Sequence, residues 1–459
     1  MQKKTASILL CMPFLFLCGC AVSASSQVQA TTSKDLETEY TLSGESFQMI
    51  SSFDPTSYGS GNQKGFYSVF LNDDGSSNIM YTDYATQTQV YLCAKPNCEH
   101  DSDACTSWIA PFAGTIVPAA TEKDLFLIYS SREERPKIER LELNGENPTT
   151  VFSLPDGAKI QNAVAASDTT LIVQIEQYEN DGQNIKSNCY LAAISWETGK
   201  ISVVFSLNDE LEQLKNKKFQ ASSMLFYGAT SDALIVETIV QFDYEVDMND
   251  VDKSFENLNK ALEHTVYKIP LDGSEPSPIL SYSNGQCVGR AFPDGFFYVE
   301  ESKNHTISMK KILTSTEEHQ LLIENLSEAL FTENAEQLNV EDIVFRNYVD
   351  GHLLFNVLTD QYISNNGNIE LVFSGFAIDV ETGVLKQINL TNYYNATTVP
   401  VDIIAKCGDD LLVFADITQS SGENKNSRLI ERKIALITTE DYLDSKPNYR
   451  MIDTLRNFA

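Results

Sequence analysis

One short apolar strand recurs seven times along this chain, and its spacing limits the folds open to it. The copies read GFYSVF (65–70), DLFLIY (124–129), TTLIVQI (169–175), DALIVET (232–238), DGFFYVE (294–300), DGHLLFN (350–356) and DDLLVFA (409–415). Successive starts lie 59, 45, 63, 62, 56 and 59 residues apart. Five of the seven open on Asp or Asp-Gly, the chemistry of a tight turn feeding a strand. Strands repeated at such a period predict a radial repeat.

The partner strands fit that reading. DLFLIY is followed by KIERLEL (137–143), the turn Asn144-Gly145, and TTVFSL (149–154). The third unit repeats the order as CYLAAIS, Glu197-Thr198-Gly199 and ISVVFSL, and the sixth as LVFSGFAIDV, Glu381-Thr382-Gly383 and VLKQINL. Four strands per unit and seven units predict an all-β fold, a seven-bladed β-propeller forming a single domain over 47–459. An isolated blade cannot bury both faces, so the ring must close. The 63-residue spacing leaves room for another strand pair, with six or eight blades as the alternatives. Short helical insertions are expected at 208–218 and 325–337. A third is expected in DVDKSFENLNKALEH, where Val251, Phe255, Leu258 and Leu262 stand at helical spacing. Core packing is the expected fate of that apolar stripe.

Charge narrows the partners. The 459 residues hold 64 acidic against 33 basic side chains, a formal charge of -31. Such a surface repels phosphate backbones and anionic lipid heads, which argues against nucleic acid. Membrane attachment would need a device other than a basic patch. The N-terminus offers one. Lys3 and Lys4 precede an apolar run from Ile8 to Leu17, too short to span a bilayer comfortably, and small residues follow. Leu17-Cys18-Gly19-Cys20 looks like a bacterial lipobox, although Cys18 stands where Ala or Ser is commoner. The expectation is a signal peptide over 1–19 and a lipid on Cys20. A flexible tether over 20–46 would then hold the domain at the extracytoplasmic face of the cell membrane. Cleavage after Ala24 or Ala30, giving a secreted protein, is the alternative.

Chemistry concentrates in LCAKPNCEHDSDACTSW (92–108). Cys93, Cys98, His100 and Cys105 offer three thiolates and one imidazole, a set suited to tetrahedral zinc. Four protein ligands leave no open position, so the site would be structural. A disulfide among Cys93, Cys98 and Cys105 is the alternative, since exported proteins form them. Haem attachment and thioredoxin-like chemistry are excluded, as neither Cys-x-x-Cys-His nor Cys-x-x-Cys occurs. Cys189, Cys287 and Cys407 each stand alone in an apolar segment and are expected to be small buried hydrophobes. The acidic run Asp243, Glu245, Asp247, Asp250 and Asp252 lacks the calcium-loop pattern and reads as a solvated loop. Sequons occur at Asn304, Asn325, Asn389 and Asn395 and carry little weight in a bacterial protein. No phosphate loop and no Gly-x-Ser-x-Gly elbow appears.

The lipobox, the blade repeats and the string LCAKPNCEHDSDAC together resemble uncharacterised β-propeller lipoproteins of Gram-positive, clostridia-like bacteria. Those carry a Leu-Cys-x-x-Pro-x-Cys-x-His motif and a further Cys, here Leu92, Cys93, Pro96, Cys98, His100 and Cys105. The resemblance implies fold and location and brings no activity. Two functions follow from the residues. One is a surface-anchored binding module for an unidentified ligand or protein partner. The alternative is an exported hydrolase or lyase acting on glycans or peptides, with carboxylates at the propeller's channel mouth. The absence of a recognisable nucleophile, base or open metal site favours binding.

Overall fold

The computed structural model of the chain describes residue 42 and residues 45–455, apart from 52–58, 132, 156, 181–184, 214–217, 247–249, 303, 332–337, 364–368, 395–396 and 422–427. The expected signal peptide, Cys20 and all of the tether but Leu42, Glu45 and Ser46 lie outside the described residues, as do Asp247 and Asn395. Seven sheets of four or more strands, antiparallel but for the pairing of Ile369–Asp379 with Thr397–Pro400 in the sixth, follow one another along the chain and form a ring, a seven-bladed β-propeller.

Each recurring apolar strand is the second of its blade. They are Gly65–Leu71, Asp124–Ser130, Thr170–Asn180, Ala233–Phe242, Gly295–Glu301, His352–Ile363 and Asp410–Ser421. Before each runs an inner strand such as Ala158–Ala166 or Phe219–Ala229. The first half of the second strand is largely apolar because both its faces meet neighbouring blades. In DLFLIY every residue from Leu125 to Tyr129 is buried. Asp350 (φ 48°) and Gly351 (φ 81°) are both left-handed, the two-residue turn that Asp-Gly favours between paired strands. Six or eight blades are not needed to absorb the long third unit. Strands of eleven residues and the helix Leu207–Gln213 fill it.

The core is not one mass but seven slabs, one at each junction between blades. Phe126, Ile128, Val173 and Ile194 join blades 2 and 3; Phe297, Val299, Phe355 and Ile378 join blades 5 and 6. The ring closes without exchanging a strand between first and last blades. Phe66 and Tyr84 of blade 1 pack on Leu412, Phe414 and Ile434 of blade 7. The C-terminal tail then reaches the outer strand of blade 1, Thr88–Tyr91. Gln89 N–H donates to Asp453 O at 2.8 Å, and Asp453 N–H to Gln87 O at 2.9 Å.

The two faces of the ring differ. One face carries the tight turns between first and second strands and between third and fourth. The other carries the links between blades and the turns between second and third strands, and with them three of the four described α-helices. The strand Gln48–Ser51 pairs antiparallel with the inner strand of blade 3, Gln48 opposite Ala166 and Ser51 opposite Val164. It also lies against the inner strands of blades 1, 2 and 4, so it runs inside the ring. The chain enters from the face of tight turns. There the Glu45 carboxylate accepts from Ser167 Oγ and from Thr170 Oγ1, and Phe47 is buried between blades 3 and 4.

Candidate metal centre

The fourth strand of blade 1 is broken, and the cysteine loop fills the break. Ile79 holds both ends: its carbonyl accepts from Leu92 N–H at 2.9 Å, and its N–H donates to Ser107 O at 2.7 Å. The short strand Trp108–Ile109 then resumes pairing, opposite Asn78 and Ser77. The loop therefore sits at the outer edge of blade 1, away from the central channel. Leu92 at its base is buried against blade 2, and the turn there needs Gly145 (φ 84°). A Cβ on that glycine would stand 3.1 Å from Leu92 O.

Inside the loop, one ligand atom from each of Cys93, Cys98, His100 and Cys105 lies within 4.8 Å of the others. All four residues named from the sequence are thus brought together. Tetrahedral zinc with thiolate ligands spaces its donor atoms about 3.7 Å apart, so a small closure completes the set. The local chain is shaped for it. Asn97 (φ 54°) and His100 (φ 60°) adopt left-handed backbone, which folds the loop back on itself. The His100 ring stacks on Tyr91, centroids 4.2 Å apart, and its carbonyl accepts from the buried Asn78 amide at 3.0 Å. His100 Nδ1 stands 3.2 Å from Cys105 Sγ, which is itself 3.1 Å from Ser107 Oγ. Thr106 Oγ1 donates to Leu92 O at 2.8 Å, and Lys95 Nζ caps the Ala104 carbonyl.

No disulfide joins the three sulfurs; each cysteine is free. Burial opposes ionisation of Cys93, but hydrogen bonds from Lys95, Cys105 and Thr106 prevail and lower its pKa to about 7. For Cys98 the His100 backbone favours the thiolate, yet burial and the adjacent Cys105 and Cys93 sulfurs raise its pKa overall. The lone cysteines behave otherwise. Cys189, Cys287 and Cys407 are buried in the blades, and burial pushes Cys189 up to about 12 and Cys407 up to about 11. They are inert thiols.

A second polar cluster escaped the sequence reading. Between blades 4 and 5 the Glu237 carboxylate, 2 % exposed, accepts from Tyr227 OH at 2.8 Å, from Tyr282 OH and from His264 Nδ1 at 3.1 Å. His264 stacks on Tyr282, centroids 4.9 Å apart, and its Nε2 is buried without a partner. Burial first, and then the neighbouring acid, raise the Tyr227 phenol well above its ordinary range. The sequence signal was Glu237 itself, an acid directly after the apolar run Ala233–Val236.

No family model matches the chain, and no curated protein matches it in sequence. Solved structures do match. A puromycin-hydrolyzing peptidase from Mycobacterium tuberculosis is 10% identical over 90% of this chain and 57% of its own, with a TM-score of 0.44. Oligopeptidase B from Leishmania major is 8% identical over 90% of this chain and 49% of its own, also at 0.44. An uncharacterized protein from Listeria monocytogenes EGD-e is 8% identical over 92% of this chain and 100% of its own, at 0.41. The chain spans about half the length of the two peptidases.

Proposed function

We propose that the protein is a lipid-anchored binding module on the extracytoplasmic face of a membrane, its first blade stapled by one zinc ion. The observation that carries the metal reading is the convergence of three sulfurs and one imidazole within 4.8 Å on a single short loop. Three soft ligands and one imidazole suit zinc, and with all four positions supplied by protein the ion would be structural. It would hold closed the loop that interrupts the fourth strand of blade 1. Titration of the metal-free protein with Co(II) tests this. Tetrahedral thiolate absorption saturating at one ion per chain is expected, and octahedral Co(II) or no uptake would reject it.

Anchoring rests on Leu17 to Cys20 and on the family resemblance. A chain held by its N-terminus would leave the ring at the face of tight turns and turn its links and helices outward. Cys20→Ala is expected to move the protein from the membrane fraction to the medium, or to leave an unprocessed precursor. Unchanged membrane association would refute lipidation. The hydrolase or lyase alternative requires carboxylates at the channel mouth. Binding is favoured because the sequence shows no recognisable nucleophile, base or open metal site.

A further inference from the structure

The helix Val251–Ala261 joins the second and third strands of blade 4 on the link-bearing face. Asp250 caps it, accepting from Lys253 N–H at 3.0 Å. Its apolar stripe was expected to pack into the core, and only the far end does. Ala261 and Leu262 are buried and Leu258 is half-buried, whereas Val251 is 64% exposed and Phe255 39%. These two stand four residues apart, one above the other on a single side of the helix. The segment before the helix adds Val246, 55% exposed, and is tied to it by Asn257 Nδ2 donating to Glu245 O at 2.9 Å. Three of the twelve large exposed hydrophobics among the described residues thus fall within ten positions. Single exposed apolar residues need no explanation; a group of them does.

The surroundings say what covers it. Residues 243–260 carry six carboxylates against two lysines, a net charge of -4, and Lys260 is engaged with Glu256 at 2.6 Å. A second copy of this chain would set acid against acid, in a protein whose charge is already -31. An anionic lipid surface is repelled for the same reason. We propose that this helix is the docking surface for a cationic amphipathic segment of a partner protein. Its apolar side chains cover Val251 and Phe255, and its Lys or Arg side chains meet Asp243, Glu245, Asp252 and Glu256. The inference names the partner's chemistry for the binding module proposed above and rests on that reading.

The test uses the purified full chain, held in phosphatidylcholine nanodiscs where it carries lipid and free in buffer where it does not, so a failure of anchoring at Cys20 does not disturb it. The probes are a fluorescent 14-residue Leu/Lys amphipathic peptide, its Leu/Glu counterpart, and vesicles containing phosphatidylglycerol. Saturable one-to-one binding of the Leu/Lys peptide alone is expected, weakened at least tenfold by Val251→Ser with Phe255→Ser. Asp243→Asn with Glu245→Gln and Asp252→Asn should remove most of its salt dependence. Neither triplet nor pair touches a buried side chain, and circular dichroism checks their folding. Equal affinity for wild type and the Val251/Phe255 variant would overturn the proposal, leaving only bulk charge attraction. So would a wild-type dimer, or vesicle binding, that this variant abolishes.

Discussion

The loop at 92–107 and the Glu237 cluster are both knots of polar side chains in an otherwise apolar ring, but their atoms face different things. Glu237 lies between two blades, and every hydrogen bond it needs comes from the protein: two phenols and an imidazole. Burying such an acid is tolerable only because it is bonded on both oxygens. It is a strut across the four strands of blade 4, on the side that faces blade 5. In the cysteine loop three of the four side chains remain half-exposed, and their donor atoms point at one another across less than 4.8 Å. Sulfur gains little from hydrogen bonding, so such a convergence is rewarded most by a cation that all four side chains can share. The first cluster turns its acid on its own neighbours; the second gathers four possible ligand atoms within 4.8 Å of one another.

The sharpest way to break this contrast is Glu237→Ala. It strands Tyr227, Tyr282 and His264 in the junction and should cost about 3 kcal/mol. Urea unfolding would show this, with metal content unchanged. A cost below about 1 kcal/mol would mean that the cluster is not a strut. Next in size is the metal itself. With free zinc at about a hundred times its dissociation constant, the wild type should gain about 2.7 kcal/mol over the chelated protein. Cys98→Ser should gain far less; a wild type indifferent to chelation would remove the ligand-set reading. A smaller effect tests coupling between loop and ring closure. Deleting 453–459 removes the two bonds to Gln87 and Gln89, at the start of the strand whose Tyr91 supports His100. The expected loss is about 1–2 kcal/mol with weaker zinc retention in competition with a chelator. Unaltered retention would uncouple the two. The least effect belongs to Cys407→Ala, about 1 kcal/mol with full metal content, since that thiol only fills a slab.

The ring was legible because its signal is local and repeated: apolar strands, five of the seven opening on Asp or Asp-Gly, recur at a steady spacing that pointed to seven blades with six or eight as alternatives. The inner strands were harder to see. Ala158–Ala166 alternates small and polar residues at the crowded centre and carries no run of large apolar side chains. The four ligands fall within thirteen positions and could be read as a unit, although their place at the outer edge depends on pairing to Ile79. Glu237, His264, Tyr227 and Tyr282 come from four strands of blade 4, and only the folded sheet joins them. The helix at 251–261 was visible by its period, but period alone says which side is apolar and not whether anything covers it. Gln48–Ser51 gave no sign of entering the ring, since its partner strand lies more than a hundred residues away.

The central claim, that the loop of blade 1 is a metal site rather than a disulfide or a set of idle thiols, is tested most directly by composition. Elemental analysis of the protein purified without a histidine tag should find close to one zinc per chain. Denaturation with a chelator should then expose all six thiols of the described domain. Absence of metal together with two missing thiols would contradict the account and put a disulfide in its place.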